Sequence, residues 1–262
     1  MIRGITTELC AGSIRDCLLA ERFPIDRIEL NCALELGGLT PSNALLQFTK
    51  NHTELPVVCM IRPRAAGFVY SETEFELMKL QAQSLLEQGA DGIVFGFLRP
   101  DHAIDEARTE VLASLAHSYG KEAVFHRAFD EASDPFAACE ALIRCGIDRL
   151  LTSGQKPSAM EGATLIKELI RMYGCALSIL PGAGINAGNV AKLLSVTGAR
   201  QFHMSAKSMR SDNGLYPATD ARNLQAVMQA LGTSCDIRKP SLLTREDAAM
   251  LQMEPYETAL TR

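Results

Sequence analysis

Four short segments of this chain share one pattern: Pro24-Ile25-Asp26-Arg27-Ile28-Glu29, Gly89-Ala90-Asp91-Gly92-Ile93-Val94, Gly146-Ile147-Asp148-Arg149-Leu150-Leu151 and Gly198-Ala199-Arg200-Gln201-Phe202-His203. Each follows a helix-like stretch and opens a short apolar run. In three of them a glycine stands where a helix must stop. The intervals leave room for two strands and two helices per copy, so the copies introduce strands two, four, six and eight. A repeat of two βα units is what a closed barrel with alternating side-chain layers would show. Helix stops followed by short strands also occur in an open doubly wound sheet, which stands as the alternative.

The strands predicted are 7–10, 26–31, 56–61, 91–96, 121–126, 148–152, 176–180 and 200–204. Helix starts are legible between them. Thr40-Pro41 and Asp134-Pro135 read as N-caps followed by proline at the first helical position. Ser71-Glu74 and Ser158-Glu161 have capping-box spacing, and Asn186 opens another helix. At 262 residues the chain has the length of one such barrel. The expected fold is a TIM-like (β/α)8 barrel over 1–231, with a polar C-terminal extension over 232–262. Lys207–Thr219 reads as a long polar loop, Asp220–Leu231 as a helix, and a short helix is expected near Thr244.

Charge and cysteine spacing narrow the function classes. A net charge of −5 without any Lys/Arg run argues against a nucleic-acid partner. The first residues lack the apolar core of a signal peptide, and no apolar run is long enough to span a membrane. A cytoplasmic location is expected. The eight cysteines include no C-x2-C pair, so neither a disulfide framework nor a zinc knuckle is indicated.

Side chains alternate along a strand, so the repeat also assigns faces. If Glu29 points inward, so do Asn31, Val94, Leu151, Ser153, His203 and Ser205. The same parity pairs Glu8 with Cys10 and Met60 with Arg62, and turns Cys59 outward. Strand five ends in Phe125-His126-Arg127-Ala128-Phe129-Asp130. Charged groups inside a barrel are costly unless paired. Glu8, Glu29, Arg62, His126, Arg127 and His203 are therefore expected to form one network at the carboxyl ends of the strands, where barrel sites lie. His126 or His203 would serve as general acid/base, oriented by Glu8 or Glu29. A purely structural ion-pair network is the competing reading.

An anion is the ligand class indicated. Gly182 and Gly184 follow strand seven, Ser153 and Gly154 follow strand six, and Ser205 follows strand eight, as in barrels that bind phosphate through loop amides. Arg62, Arg64 and Arg127 add guanidiniums suited to carboxylate or phosphate.

Several ordered motifs resemble the CutC family of copper homeostasis proteins. They are Arg27-Ile28-Glu29-Leu30 with Gly37-Gly38-Leu39-Thr40-Pro41-Ser42, Met60-Ile61-Arg62-Pro63-Arg64 with Tyr70-Ser71, Phe125–Asp130, Leu151-Thr152-Ser153-Gly154, and His203-Met204-Ser205-Ala206. The resemblance covers about residues 7–210. It implies a cytoplasmic TIM-like barrel, often dimeric, with Cu(I) held by cysteines at the ends of strands one and two. Cys10 matches the first. At the second the family's Glu-Leu-Cys reads Glu29-Leu30-Asn31, with Cys32 one residue later. Cys10, Cys32 and Met60 would supply soft donors for Cu(I) if the loop turns Cys32 inward. Two functions thus stand open: copper handling, and a barrel enzyme or binding protein for a small anionic metabolite.

Overall fold

The computed structural model describes residues 4–211 and 213–232, in which eight parallel strands alternate with helices. The strands are β1 (Thr6–Ala11), β2 (Arg27–Leu30), β3 (Val57–Met60), β4 (Gly92–Phe95), β5 (Glu122–Phe125), β6 (Arg149–Thr152), β7 (Ser178–Pro181) and β8 (Gln201–Met204). The helices are α1 (Ile14–Arg22), α2 (Asn43–His52), α3 (Glu72–Glu87), α4 (Glu106–Ser118), α5 (Pro135–Arg144), α6 (Ala163–Tyr173), α7 (Val190–Thr197) and α8 (Ala221–Ala230). Strands pair in chain order from β1 to β7, and β1 also pairs with β8. At the β7–β8 seam the Gln201 amide donates to Ser178 Oγ (2.7 Å) and to the Ile179 carbonyl (3.1 Å). The fold is the expected TIM-like barrel: the strands run in chain order, the first pairs with the last, and β8 also meets β7 across the seam, which no open doubly wound strand order does. No helix among the described residues is long and apolar enough to cross a membrane.

The structure gives the repeat a cause. Its aspartates each accept a backbone N–H from the preceding odd strand: Asp26 from Thr7 (2.9 Å), Asp91 from Val57 (2.9 Å) and Asp148 from Ala123 (2.8 Å). Each therefore ties an odd strand to the even strand that follows it, satisfying an amide that would otherwise lose its partner at the barrel floor. In the fourth copy Arg200 stands in place of aspartate, and its carbonyl accepts from Thr6 N–H, as the carbonyls of Asp91 and Asp148 accept from Glu122 and Ser178 N–H.

Helix starts follow local chemistry where loops leave them free. Ser71 and Glu74 form the full capping box, and Asp134 accepts from Phe136 and Ala137 ahead of α5. Elsewhere tertiary contacts displace the predicted start. Ser42 caps α2, while Thr40 is clipped to the end of β3, its N–H donating to the Arg62 carbonyl and its Oγ accepting from Arg62 N–H. The Ser158–Glu161 bonds form but close a turn, and α6 begins only at Ala163. Asn186 likewise shapes a turn before α7 begins at Val190. The polar segment expected as a loop is a β-hairpin, β9 (Lys207–Ser211) against β10 (Leu215–Thr219). The helix expected near Thr244 lies outside the described residues.

Alternation sorts the core as expected. Val58, Met60, Val94 and Val124 form a small apolar layer inside the barrel, while Cys59 belongs to the larger core between strands and helices. The loop after β6 is held by close backbone packing of Gly154 on Gly162. A Cβ at Gly162 would lie 1.9 Å from the Ser153 carbonyl oxygen. Gly162→Ala is expected to destabilise the fold by about 1–3 kcal/mol, as overpacking against fixed atoms does. Chemical unfolding checks this, and an unchanged midpoint would show that the loop yields freely.

Candidate functional site

A cavity of about 670 Å³ opens at the carboxyl ends of the strands. Beneath it lies a buried ionic layer centred on Glu8, which is only 2% exposed. Glu8 pairs with Arg27, with Arg149 (3.2 Å) and with His203 Nδ1 (2.7 Å), and Arg149 pairs in turn with Glu122. Burial pushes the Glu8 carboxyl up, but Arg27, His203 and Arg149 together outweigh it and hold the group at about 2. Sequence reasoning missed Arg27 and Arg149 as members of this layer. The signal was present, since each stands two residues before an inward-assigned position, Glu29 and Leu151.

Above this layer Cys10, Glu29 and His203 converge. A ligand atom from each lies within 4.8 Å of the others. His203 Nε2 faces Glu29 at 3.4 Å, while its Nδ1 is held by Glu8. Burial disfavours the His203 cation, yet Glu29, Cys10 and Glu8 raise its pKa well above the ordinary value. Burial and the neighbouring Glu8 charge raise that of Glu29 despite the opposing His203. Burial and then Glu29 push the Cys10 thiol up. Asn31 donates to the Glu29 carbonyl (3.2 Å) and lies 3.6 Å from Cys10 Sγ.

Arg62 and His126 stand apart from this cluster, so the expected single network is two groups. Arg62 donates to the carbonyls of Leu36, Gly38 and Ala66 at 3.0–3.1 Å and packs over Phe68. His126 Nδ1 accepts from Ala128 N–H at 3.1 Å, and its ring tilts against Phe68. Burial, reinforced by the Arg62 charge, lowers its pKa to about 3, so it is a neutral imidazole at physiological pH.

The remaining predicted residues divide between the cavity and the scaffold. Arg127, Gly184 and Ser205 line the cavity with Cys10, Glu29 and His203, and so do Met60 and Lys207. Arg127 is already paired with Asp130 (2.8 Å), a residue that also accepts from Thr152 Oγ1 (2.6 Å) and the Ser153 and Gln155 amides (3.1 Å). Ser153 and Gly154 are therefore part of that clamp and do not line the cavity. Gly182 is backbone spacing, since a Cβ there would strike Leu151. Arg64 turns outward to Glu74 and Tyr70. Cys32 is also placed elsewhere. Its thiol donates to the Thr40 carbonyl at 3.1 Å, because residues 32 and 39 form a bridge that folds the loop back on itself. A Cys10–Cys32 thiolate pair is thus not assembled.

The comparisons with known proteins agree with one another. The model of the CutC family matches residues 5–208. A family protein CutC from Treponema denticola is 46% identical over 220 residues, covering 84% of this chain and 87% of the relative. The human copper homeostasis protein cutC homolog is 42% identical over 212 residues, covering 81% and 77%. Among solved structures, the putative copper homeostasis protein CutC from Streptococcus agalactiae superposes with a TM-score of 0.72 at 30% identity, over 77% of this chain and 98% of the other. Phosphoribosyl anthranilate isomerase from Thermococcus kodakaraensis shares the barrel alone, with a TM-score of 0.57 at 15% identity over 87% and 98%. On the family match, the identities and the barrel with its strand-end motifs, this chain belongs to the CutC family.

Proposed function

We propose that this chain serves copper homeostasis by taking up one Cu(I) at the barrel mouth, on Cys10 and His203. The observation that supports this reading is the convergence of the Cys10 thiol, a His203 ring nitrogen and the Glu29 carboxylate within 4.8 Å of one another. Cu(I) favours soft donors and low coordination, which one thiolate and one imidazole provide. Met60 lines the same cavity with a thioether. Glu8 on Nδ1 plays the part that a carboxylate plays behind a metal-bound histidine, fixing the ring so that Nε2 faces the cluster. Glu29, a hard oxygen donor that Cu(I) does not need, faces His203 Nε2 in the free protein and gives up that contact when the nitrogen turns to the metal. Because burial keeps the thiol protonated and His203 is held as a cation, Cu(I) uptake releases two protons, one from the thiol and one from His203 Nε2.

The test is a titration of reduced full-length protein with Cu(I) against a chromophoric chelator. One tightly held Cu(I) per chain is expected. Folded, reduced protein that takes no copper from the chelator would remove direct binding as the basis of this function.

A further inference from the structure

The cavity is far larger than an ion requires, and its charges do not balance. Arg127 is neutralised by Asp130, Arg27 and Arg149 by Glu8 and Glu122, and Glu29 faces His203. Arg62 is different. It is 7% exposed, and among the described residues its guanidinium bonds only to backbone carbonyls. A buried cation without a counter-charge is costly, and a ligand anion can relieve that cost. The Leu36, Gly38 and Ala66 carbonyls hold the Arg62 guanidinium while Thr40 fixes its backbone, so the charge cannot swing out to water without breaking those bonds.

His126 supplies a second cue. Ala128 N–H donates to its Nδ1, which places the ring proton on Nε2. That nitrogen is buried and has no acceptor among the described residues. Gly96 makes room for the ring, since a Cβ there would lie 2.5 Å from Nδ1. The Phe68 ring packs against both residues, at 5.3 Å from the Arg62 guanidinium and 4.9 Å from the imidazole. A fixed cation and a fixed neutral donor thus share one wall. Towards β2, Glu29 Oε1 and Asn31 Oδ1 are buried acceptors that also lack partners among the described residues.

We propose that the cavity binds a small hydroxylated monocarboxylate, its carboxylate beside Arg62 and His126 Nε2–H and its hydroxyls donating to Asn31 and Glu29. Of the lining cations Arg62 is the buried one without a counter-charge, Lys207 being only half-buried, so one negative charge is called for. A phosphate dianion would bring a second charge close to the Glu29 carboxylate of the opposite wall. Acceptors without donors ask for hydroxyl groups rather than a bare alkyl chain. The site does not depend on copper.

The experiment is a copper-free titration, with chelator present, of the full chain with gluconate, lactate and inorganic phosphate, read by NMR of the His126 ring and by thermal shift. Gluconate or lactate should move the His126 ring signals saturably and raise the melting temperature at millimolar concentration. His126→Phe keeps the ring packing and should weaken carboxylate binding about tenfold, as the loss of one hydrogen bond to a charged group would. Arg62→Gln should abolish it, and where that variant does not fold the His126→Phe result decides. Unmoved His126 signals with both carboxylates would overturn the proposal. So would phosphate perturbing only the Gly184 and Ala206 amides, which would put the anion on the loops after β7 and β8. Unaltered carboxylate affinity in folded His126→Phe would likewise defeat it.

Discussion

Glu8→Ala is expected to be the most damaging single substitution in the barrel, costing about 3–5 kcal/mol. It would leave Arg27, Arg149 and the His203 cation buried without their shared carboxylate. That is a large part of the roughly 5–15 kcal/mol that holds a domain together. The pH dependence carries a defined sign. The folded carboxyl titrates at about 2, below its ordinary 4.5. Its stabilisation is therefore fully present above the unfolded value and is lost as pH falls from there through about 2. The difference corresponds to about 3 kcal/mol. His203 runs the other way, because its pKa is raised. Its contribution is present below the unfolded value and disappears as pH rises through the folded one. Urea unfolding across the acid range should show the wild type losing stability steeply and a folded Glu8→Gln variant losing much less. Parallel curves would mean that Glu8 is not the group responsible.

The second large effect concerns copper. Cys10→Ser should abolish competition with the chelator, since a hydroxyl is a hard, weak donor for Cu(I). Cys32→Ser should leave uptake unchanged, because that thiol is committed to the Thr40 carbonyl and does not line the cavity. The contrast between the two variants is more informative than either alone. Equal losses would show that the loop after β2 rearranges to bring Cys32 to the metal. Equal retention would take the thiolate out of the proposed site. His203→Asn should reduce uptake while sparing the Cys10 thiol, which separates the imidazole's part from that of the sulfur.

Much of this architecture is legible in the sequence because it rests on short-range regularities. The period of two along a strand placed Glu8, Cys10, Glu29 and His203 towards the barrel interior, and the structure brings their side chains together. Capping chemistry placed the starts of α3 and α5, where serine or aspartate meets the amides of its own first turn. Asp26, Asp91 and Asp148 of the repeat stand just ahead of β2, β4 and β6, where each accepts an amide of the preceding strand.

The loops were decided by contacts between residues distant in sequence. Thr40 carries an N-cap signal, but the open edge of β3 offers it two backbone bonds at Arg62, so the helix waits for Ser42. That clip, and the carbonyls of the 34–38 turn, also draw Arg62 away from the Glu29–His203 cluster. The 32–39 bridge turns Cys32 aside, and a salt bridge takes Arg64 to Glu74. Ser153 looked like a ligand hydroxyl, but Asp130 claims it from the neighbouring strand end. Alternation specifies a side chain's face only while the strand lasts. Past the last ladder bond its direction depends on which unsatisfied backbone group or charge is nearest in space, and the barrel's closure sets that neighbour.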